Sequence, residues 1–381
     1  METPAQNTVI ARVRDALSTV DDPEIRRPIT ELGMVRRVAL DPADPTRVQI
    51  GIDLTQAGCP LRADLGDAVT RAALSVPGVG HVDIDFGVMT PAQRSQLRIT
   101  LRGTDGRAPN PFADPGSLTR IFAIASGKGG VGKSTMTANL AAAMAADGLS
   151  VGVIDADIHG FSLPLMLGST AQPTRIDAML IPPVIHGIKL VSIGMFTPPG
   201  RAVVWRGPML HRTLEQFLGD VFWGDLDVLL LDLPPGTGDM AISVAQLLPT
   251  SQLVVVTTPQ IAAADVAMRA GALAVQTSQR VAGVVENMSW LQAPDGSRME
   301  IFGRGGGELV AGRLAQSLGS PVPLLGQVPL DTAIREGGDS GLPVVLGNPQ
   351  SAAAQAITRV ARALTSRPRG LPGQSLPISP L

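Results

Sequence analysis

From residue 120 onward the apolar positions fall in short unbroken runs, RIFAIAS, SVGVIDAD, LDVLLLDL, SQLVVVTT and RVAGVVEN, separated by stretches of helical periodicity. Unbroken apolar strands suit a parallel sheet buried on both faces, because each side of every strand meets a layer of helices. The first hundred residues follow a different rhythm. RVQIGIDL alternates, with Val48, Ile50, Ile52 and Leu54 on one side, as a sheet with one buried face requires. Around it the pattern predicts helices over Val9–Val20 and Leu61–Leu74, and strands over Val35–Leu40, Arg47–Leu54, His81–Phe86 and Leu97–Leu101. Residues 103–118, GTDGRAPNPFADPGSL, hold three prolines and almost no apolar periodicity, and read as a linker. The expected organisation is therefore a small α+β domain over 1–102, the linker, an α/β domain with a mostly parallel sheet over 119–365, and a flexible tail over 366–381 with four prolines.

Composition narrows the function classes. A chain of 381 residues with 44% hydrophobic and 17% charged residues has material for two or three folded domains, so wholesale disorder is excluded. The net charge of −2 argues against a dominant polyanion-binding surface, so no nucleic-acid partner is expected. No apolar run approaches the roughly 18–20 residues of a membrane span. METPAQNTVIARVRDAL lacks the basic and apolar regions of a secretory signal, and the single cysteine, Cys59, cannot form an intramolecular disulfide. A cytoplasmic location with no membrane partner is the expectation.

The strongest local signal is Gly127-Lys128-Gly129-Gly130-Val131-Gly132-Lys133-Ser134-Thr135, which fits G-x-x-x-x-G-K-[ST] between a predicted strand and a predicted helix over Ser134–Ala146. Glycines let the backbone N–H groups turn inward around phosphates, and the helix start adds partial positive charge. Lys133 is placed to reach the β- and γ-phosphates of ATP, and the Ser134 hydroxyl to help hold Mg²⁺. Two further strands end in carboxylates. VIDADIHG supplies Asp157, a candidate for orienting the attacking water, and Asp155, a candidate for steering Mg²⁺ or a nearby backbone. LLLDLPPGTGD supplies Asp232, after four apolar positions, as the Walker B acid and a candidate catalytic residue, followed by Gly236, Thr237, Gly238 and Asp239 as a loop able to sense the γ-phosphate. His81, His159, His186 and His211 show no zinc spacing; His159 is a candidate switch-loop contact beside Asp157.

Lys128, a second lysine inside the loop, marks a resemblance to the deviant Walker A class of MinD, ParA and nitrogenase reductase. That resemblance implies a homodimer in which this lysine reaches the partner's nucleotide, and an adenine contact from Asn287 in VVENMS, with LLGQVPLD passing the base. DADIHGFSLPLMLG, DLPPGTGD, VENMS, IFGRGGGELVA and PLLGQVPLD, in that order, resemble the Mrp/ApbC-type iron–sulfur cluster carrier ATPases. DDPEIRRPITELGMV and DLTQAGCP resemble the MIP18-type domain that often precedes them. The implied activity is ATP hydrolysis coupled to the transfer of an iron–sulfur cluster to apo-proteins. One departure stands out. Where the family has a C-P-x-C pair after ENMS, this chain reads Trp290-Leu291-Gln292-Ala293-Pro294-Asp295-Gly296, with no thiol. Cys59, after a predicted strand and before a predicted helix, is the remaining candidate thiolate for a cluster. Two alternatives stay open: an ATP-dependent adaptor that has lost cluster binding, and a MinD/ParA-type positioning ATPase.

Overall fold

The computed structural model describes residues 4–56, 62–102, 110–114, 116–158, 160–196, 207–236, 238–260, 274–277, 279–293 and 295–366. In chain order the elements are α1 (Pro4–Leu17), β1 (Val35–Leu40), β2 (Arg47–Leu54), α2 (Arg62–Leu74), β3 (His81–Val88), α3 (Pro91–Arg102), β4 (Arg120–Ala125), α4 (Lys133–Ala146), β5 (Val151–Asp155) and α5 (Leu163–Met166). The chain continues through β6 (Thr174–Ile176), β7 (Met179–Ile181), β8 (Val184–Ile185), β9 (Ile188–Ser192), α6 (Gly207–Gly219), β10 (Val228–Asp232), α7 (Asp239–Leu247) and β11 (Gln252–Thr257). It closes with β12 (Arg280–Gln292), β13 (Arg298–Met299), α8 (Gly306–Leu318), β14 (Leu324–Leu330), α9 (Thr332–Ser340), α10 (Val344–Gly347) and α11 (Ala352–Thr365).

Two compact units form. The first comprises residues 1–109, 172–184 and 219–224. Its sheet runs β1-β2-β3, with β1 and β2 antiparallel and β2 and β3 parallel. Val48, Ile50, Ile52 and Leu54 are all buried against α1 and α2, as the alternation requires. The expected strand at Leu97–Leu101 is instead part of α3. Thr90-Pro91-Ala92-Gln93 is the reason. The Thr90 hydroxyl accepts from Gln93 N–H at 3.3 Å, Gln93 Oε1 accepts from Thr90 N–H at 2.8 Å, and Pro91 sits in the first turn. A reciprocal capping box with proline behind it starts a helix more firmly than the β-branched Ile99 and Thr100 favour a strand. The β6–β7 hairpin, which lies far along the chain, buries Ile176, Met179 and Ile181 in this same core.

The second unit holds a nine-stranded sheet among the described residues, in the order β13-β12-β11-β4-β10-β5-β9-β8 with β14 beside β12. β4, β5, β9, β10, β11, β12 and β14 pair in parallel, and only the short β13 is antiparallel to β12 among the ladders bearing on them. Both faces are covered. Val254 and Val256 of β11 join the core formed with α4 and α11, while Val255 between them joins the core formed with α8. The apolar runs are continuous because alternate residues feed two cores. This is the α/β arrangement with a mostly parallel sheet, preceded by a small α+β unit. No helix among the described residues is long and apolar enough to cross a membrane.

Candidate functional site

β4 lies between β10 and β11, so the loop that follows it opens at the middle of the sheet's carboxyl edge, where ligands meet an open α/β sheet. Gly130 and Gly132 adopt φ of 81° and 82°, values that leave glycine as the unstrained choice. Gly132 has a further reason: a Cβ there would collide with the amide of Asn287. Gly132 caps α4 and Lys133 is its first residue, so the N-terminal N–H groups of α4 face the loop's interior.

Three strand ends converge beneath the loop. Lys133 is buried, with Nζ 2.7 Å from Asp232 Oδ2 and 3.7 Å from Asp157 Oδ2. The Ser134 hydroxyl donates to Asp232 Oδ2 at 2.5 Å and the Thr137 hydroxyl to Asp232 Oδ1 at 2.7 Å. Asp155 lies level with Asp232 on the adjacent strand. It accepts from Asp157 N–H at 3.3 Å, Leu163 N–H at 3.2 Å and the Ser192 hydroxyl at 3.1 Å, so it holds the backbone that carries Asp157. Burial, with Asp232 beside it, pushes the Asp155 carboxyl up to about 7 despite those three donors. The Lys133 ammonium thus faces two carboxyl groups, Asp232 and Asp157, and the side-chain atoms gathered around it are hydroxyl and carboxylate oxygens. A surplus of negative charge with hydroxyl and carboxylate oxygens fits Mg²⁺.

The remaining predicted positions gather around this centre. Asn287 is buried and donates from Nδ2 to the Val131 carbonyl at 2.9 Å, tying β12 to the phosphate loop. It also borders a cavity of about 260 Å³ that Thr135, Met288, Pro329, Asp331 and Arg335 line, which brings the VENMS and QVPLD segments together. Gly236 N–H donates to the Ser126 carbonyl at 2.9 Å, joining the loop after β10 to the start of the phosphate loop. Lys128 points elsewhere, its Nζ donating to Gln260 Oε1 at 3.0 Å. Cys59, His159, Thr237 and Pro294 lie outside the described residues. The segment carrying Ala293 and Gly296 is a tight polar turn, with Ala293 N–H on the Ser297 carbonyl and Asp295 Oδ1 accepting from Ser297 N–H and hydroxyl.

Four residues escape a reading of motifs. Thr137 sits one helical turn beyond Ser134, and that spacing was the available signal. Ser192 reaches Asp155 only because β9 pairs with β5. Glu286 is buried and accepts from Gly307 N–H at 2.6 Å and Gln327 Nε2 at 2.8 Å, anchoring the start of α8 and β14 to β12. Gln260 meets Lys128 from the end of β11.

Residues 117–365 match the family described as NUBPL iron-transfer P-loop NTPase. An iron-sulfur cluster carrier protein of Mycobacterium tuberculosis is 58% identical over 370 residues, covering 97% of both chains. The chain belongs to this iron-transfer P-loop NTPase family. Residues 10–84 match a second family, described as iron-sulfur cluster assembly protein. The carrier family extends to a Deinococcus radiodurans protein of the same name, 43% identical over 355 residues, 92% of this chain and 93% of that one. Among solved structures, a nucleotide-binding protein of Archaeoglobus fulgidus in complex with ADP is 34% identical with a TM-score of 0.50, covering 66% of this chain and 91% of that chain.

Proposed function

We propose that this chain is an ATP-hydrolysing iron–sulfur cluster carrier that works as a nucleotide-switched homodimer in the cytoplasm and delivers its cargo to apo-proteins. The observation that carries this is the Lys133–Asp232–Ser134 centre under a glycine cradle, in a chain related along 97% of its length to proteins named as carriers. The inward N–H groups and Lys133 bind the phosphates, and Asp157, carried on the backbone that Asp155 holds, orients the attacking water in line with the γ-phosphorus. The Ser134 hydroxyl with the Asp232 and Asp155 carboxyls would hold Mg²⁺, which would supply charge neutralisation on the phosphate oxygens. Asn287 and the backbone of Pro329–Asp331 receive the adenine. Lys128 acts across the dimer, adding positive charge to the partner's transferring phosphate.

The cargo is an iron–sulfur cluster, and the turn at Ala293–Gly296 offers it no thiolate. Cys59 is the one thiol in the chain, so a homodimer offers two; the remaining cluster ligands come from a small thiol or from the recipient protein. Anaerobic reconstitution with iron and sulfide tests this, reading iron and sulfide per dimer for wild type and Cys59→Ser. The expected result is a visible cluster band in wild type that Cys59→Ser loses. Absence of iron and sulfide from both proteins would leave the adaptor reading in its place. For the composite site, Lys128→Ala and Lys133→Ala are each expected to lose turnover, and their mixture to recover part of it. No recovery on mixing contradicts the role of Lys128 in trans.

A further inference from the structure

The phosphate loop carries two lysines whose surroundings differ in kind. Lys133 is buried and neutralised within its own protomer by Asp232, with Asp157 close by. Lys128 makes no ion pair among the described residues; its ammonium donates to the neutral side-chain carbonyl of Gln260 at 3.0 Å. Both ends of that bond rest on fixed backbone. The Ser126 hydroxyl donates to the Lys128 carbonyl at 3.1 Å, which anchors the loop. On the other side Pro259 fixes the exit from β11, and its carbonyl lies so near Gly306 that a Cβ there would collide with it. Gln260 itself is exposed, so the bond is open to exchange with water.

We infer that Gln260 is a positioning residue that parks Lys128 within its own protomer and so sets how readily two protomers form a working composite site. The inference rests on the reading that Lys128 acts in trans. To reach a partner's phosphate the Lys128 ammonium must first give up its bond to Gln260, so that bond opposes assembly of the composite site. Gln260 holds it aside with a hydrogen bond to an uncharged acceptor, which binds less firmly than a carboxylate and yields when a triphosphate arrives. A glutamate at this place would hold the lysine by an ion pair. An alanine would not hold it at all.

The test is specific ATPase activity per protomer across a dilution series, for wild type, Gln260→Ala and Gln260→Glu. Dimerisation makes wild-type activity rise with concentration to a plateau. Gln260→Ala is expected to move the half-maximal concentration down roughly threefold to tenfold, and Gln260→Glu to move it up by a similar factor, an increase that added salt reduces. Both plateaus stay near wild type. Coincident curves for all three proteins overturn the proposal, as does a shift of both variants in the same direction, the signature of general structural damage. Lys128→Ala separates the underlying reading. If Lys128→Ala loses turnover while the Gln260 variants track wild type, only the parking role fails. If Lys128→Ala keeps full turnover, the trans reading fails and the parking role with it.

Discussion

Asp155 accepts from two backbone N–H groups and one hydroxyl, and every one of those bonds favours its ionised form, while burial beside Asp232 opposes it. The balance sits at about 7. Ser192 is the donor most easily removed. Losing its hydroxyl shifts the balance toward the protonated acid, so the Asp155 carboxyl ionises at higher pH. In Ser192→Ala the acid limb of the turnover–pH profile is expected to move toward alkaline pH, with turnover at high pH retained. An unchanged profile would separate Asp155 ionisation from hydrolysis. At this scale the sequence was informative wherever a function is written in adjacent residues. The phosphate loop needs its glycines, lysine and serine at fixed spacing, and Gly130, Gly132, Lys133 and Ser134 do meet in space. Ser192 and Gln260 were not legible, because their partners are chosen by which strands lie side by side.

Elements were legible where burial dictates a period. The runs that became β4, β5, β10, β11 and β12 are apolar throughout because both their faces are covered, and the alternation in β2 reflects its single buried face. α3 was misread because Leu97, Ile99 and Leu101 alternate over a short span, whereas the deciding information lay upstream in Thr90 and Gln93. The cap leads to a direct expectation. Thr90→Ala removes the hydroxyl half of the box and is expected to lower the stability of the first unit by about 1 kcal/mol in denaturant unfolding, as N-cap losses typically do. A change indistinguishable from zero would show that tertiary packing around Leu97 alone fixes this helix.

On the scale of the whole molecule, sequence order and compact units diverge. The β6–β7 hairpin follows the Asp155–Asp157 segment and precedes β9, yet its buried residues complete the core of the first unit, and Gln56 Nε2 donates to its Thr174 hydroxyl at 3.0 Å. Thr174 also bonds Glu24, whose carboxyl is pushed from the ordinary 4.5 up to about 7, by burial first and by the neighbouring Asp22 second. A carboxyl raised on folding takes up a proton more readily in the folded chain. It therefore contributes stability in full below its unfolded value, and that stability is lost as pH rises from about 4.5 through about 7. For Glu24 this amounts to roughly 3 kcal/mol. The first unit is thus expected to lose stability as pH rises from about 4.5 through about 7, and Glu24→Gln to flatten that loss, measured by denaturant unfolding across pH. Parallel pH dependences in wild type and Glu24→Gln would place the titration elsewhere. A hairpin contributed from so far along the chain was beyond sequence reading, since no local pattern in Thr174–Ile181 names the core it joins.

Nucleotide chemistry and cluster cargo meet in one experiment. The protein is loaded anaerobically with iron and sulfide and mixed with an apo-enzyme that needs a cluster for activity. Activation is then followed with MgATP, with MgADP, and with the Lys133→Ala variant. Activation above a free iron and sulfide control, with a rate that MgATP changes in wild type and not in Lys133→Ala, is the expected result. Activation no greater than that control under every nucleotide condition would contradict the carrier function and leave an ATPase without this cargo.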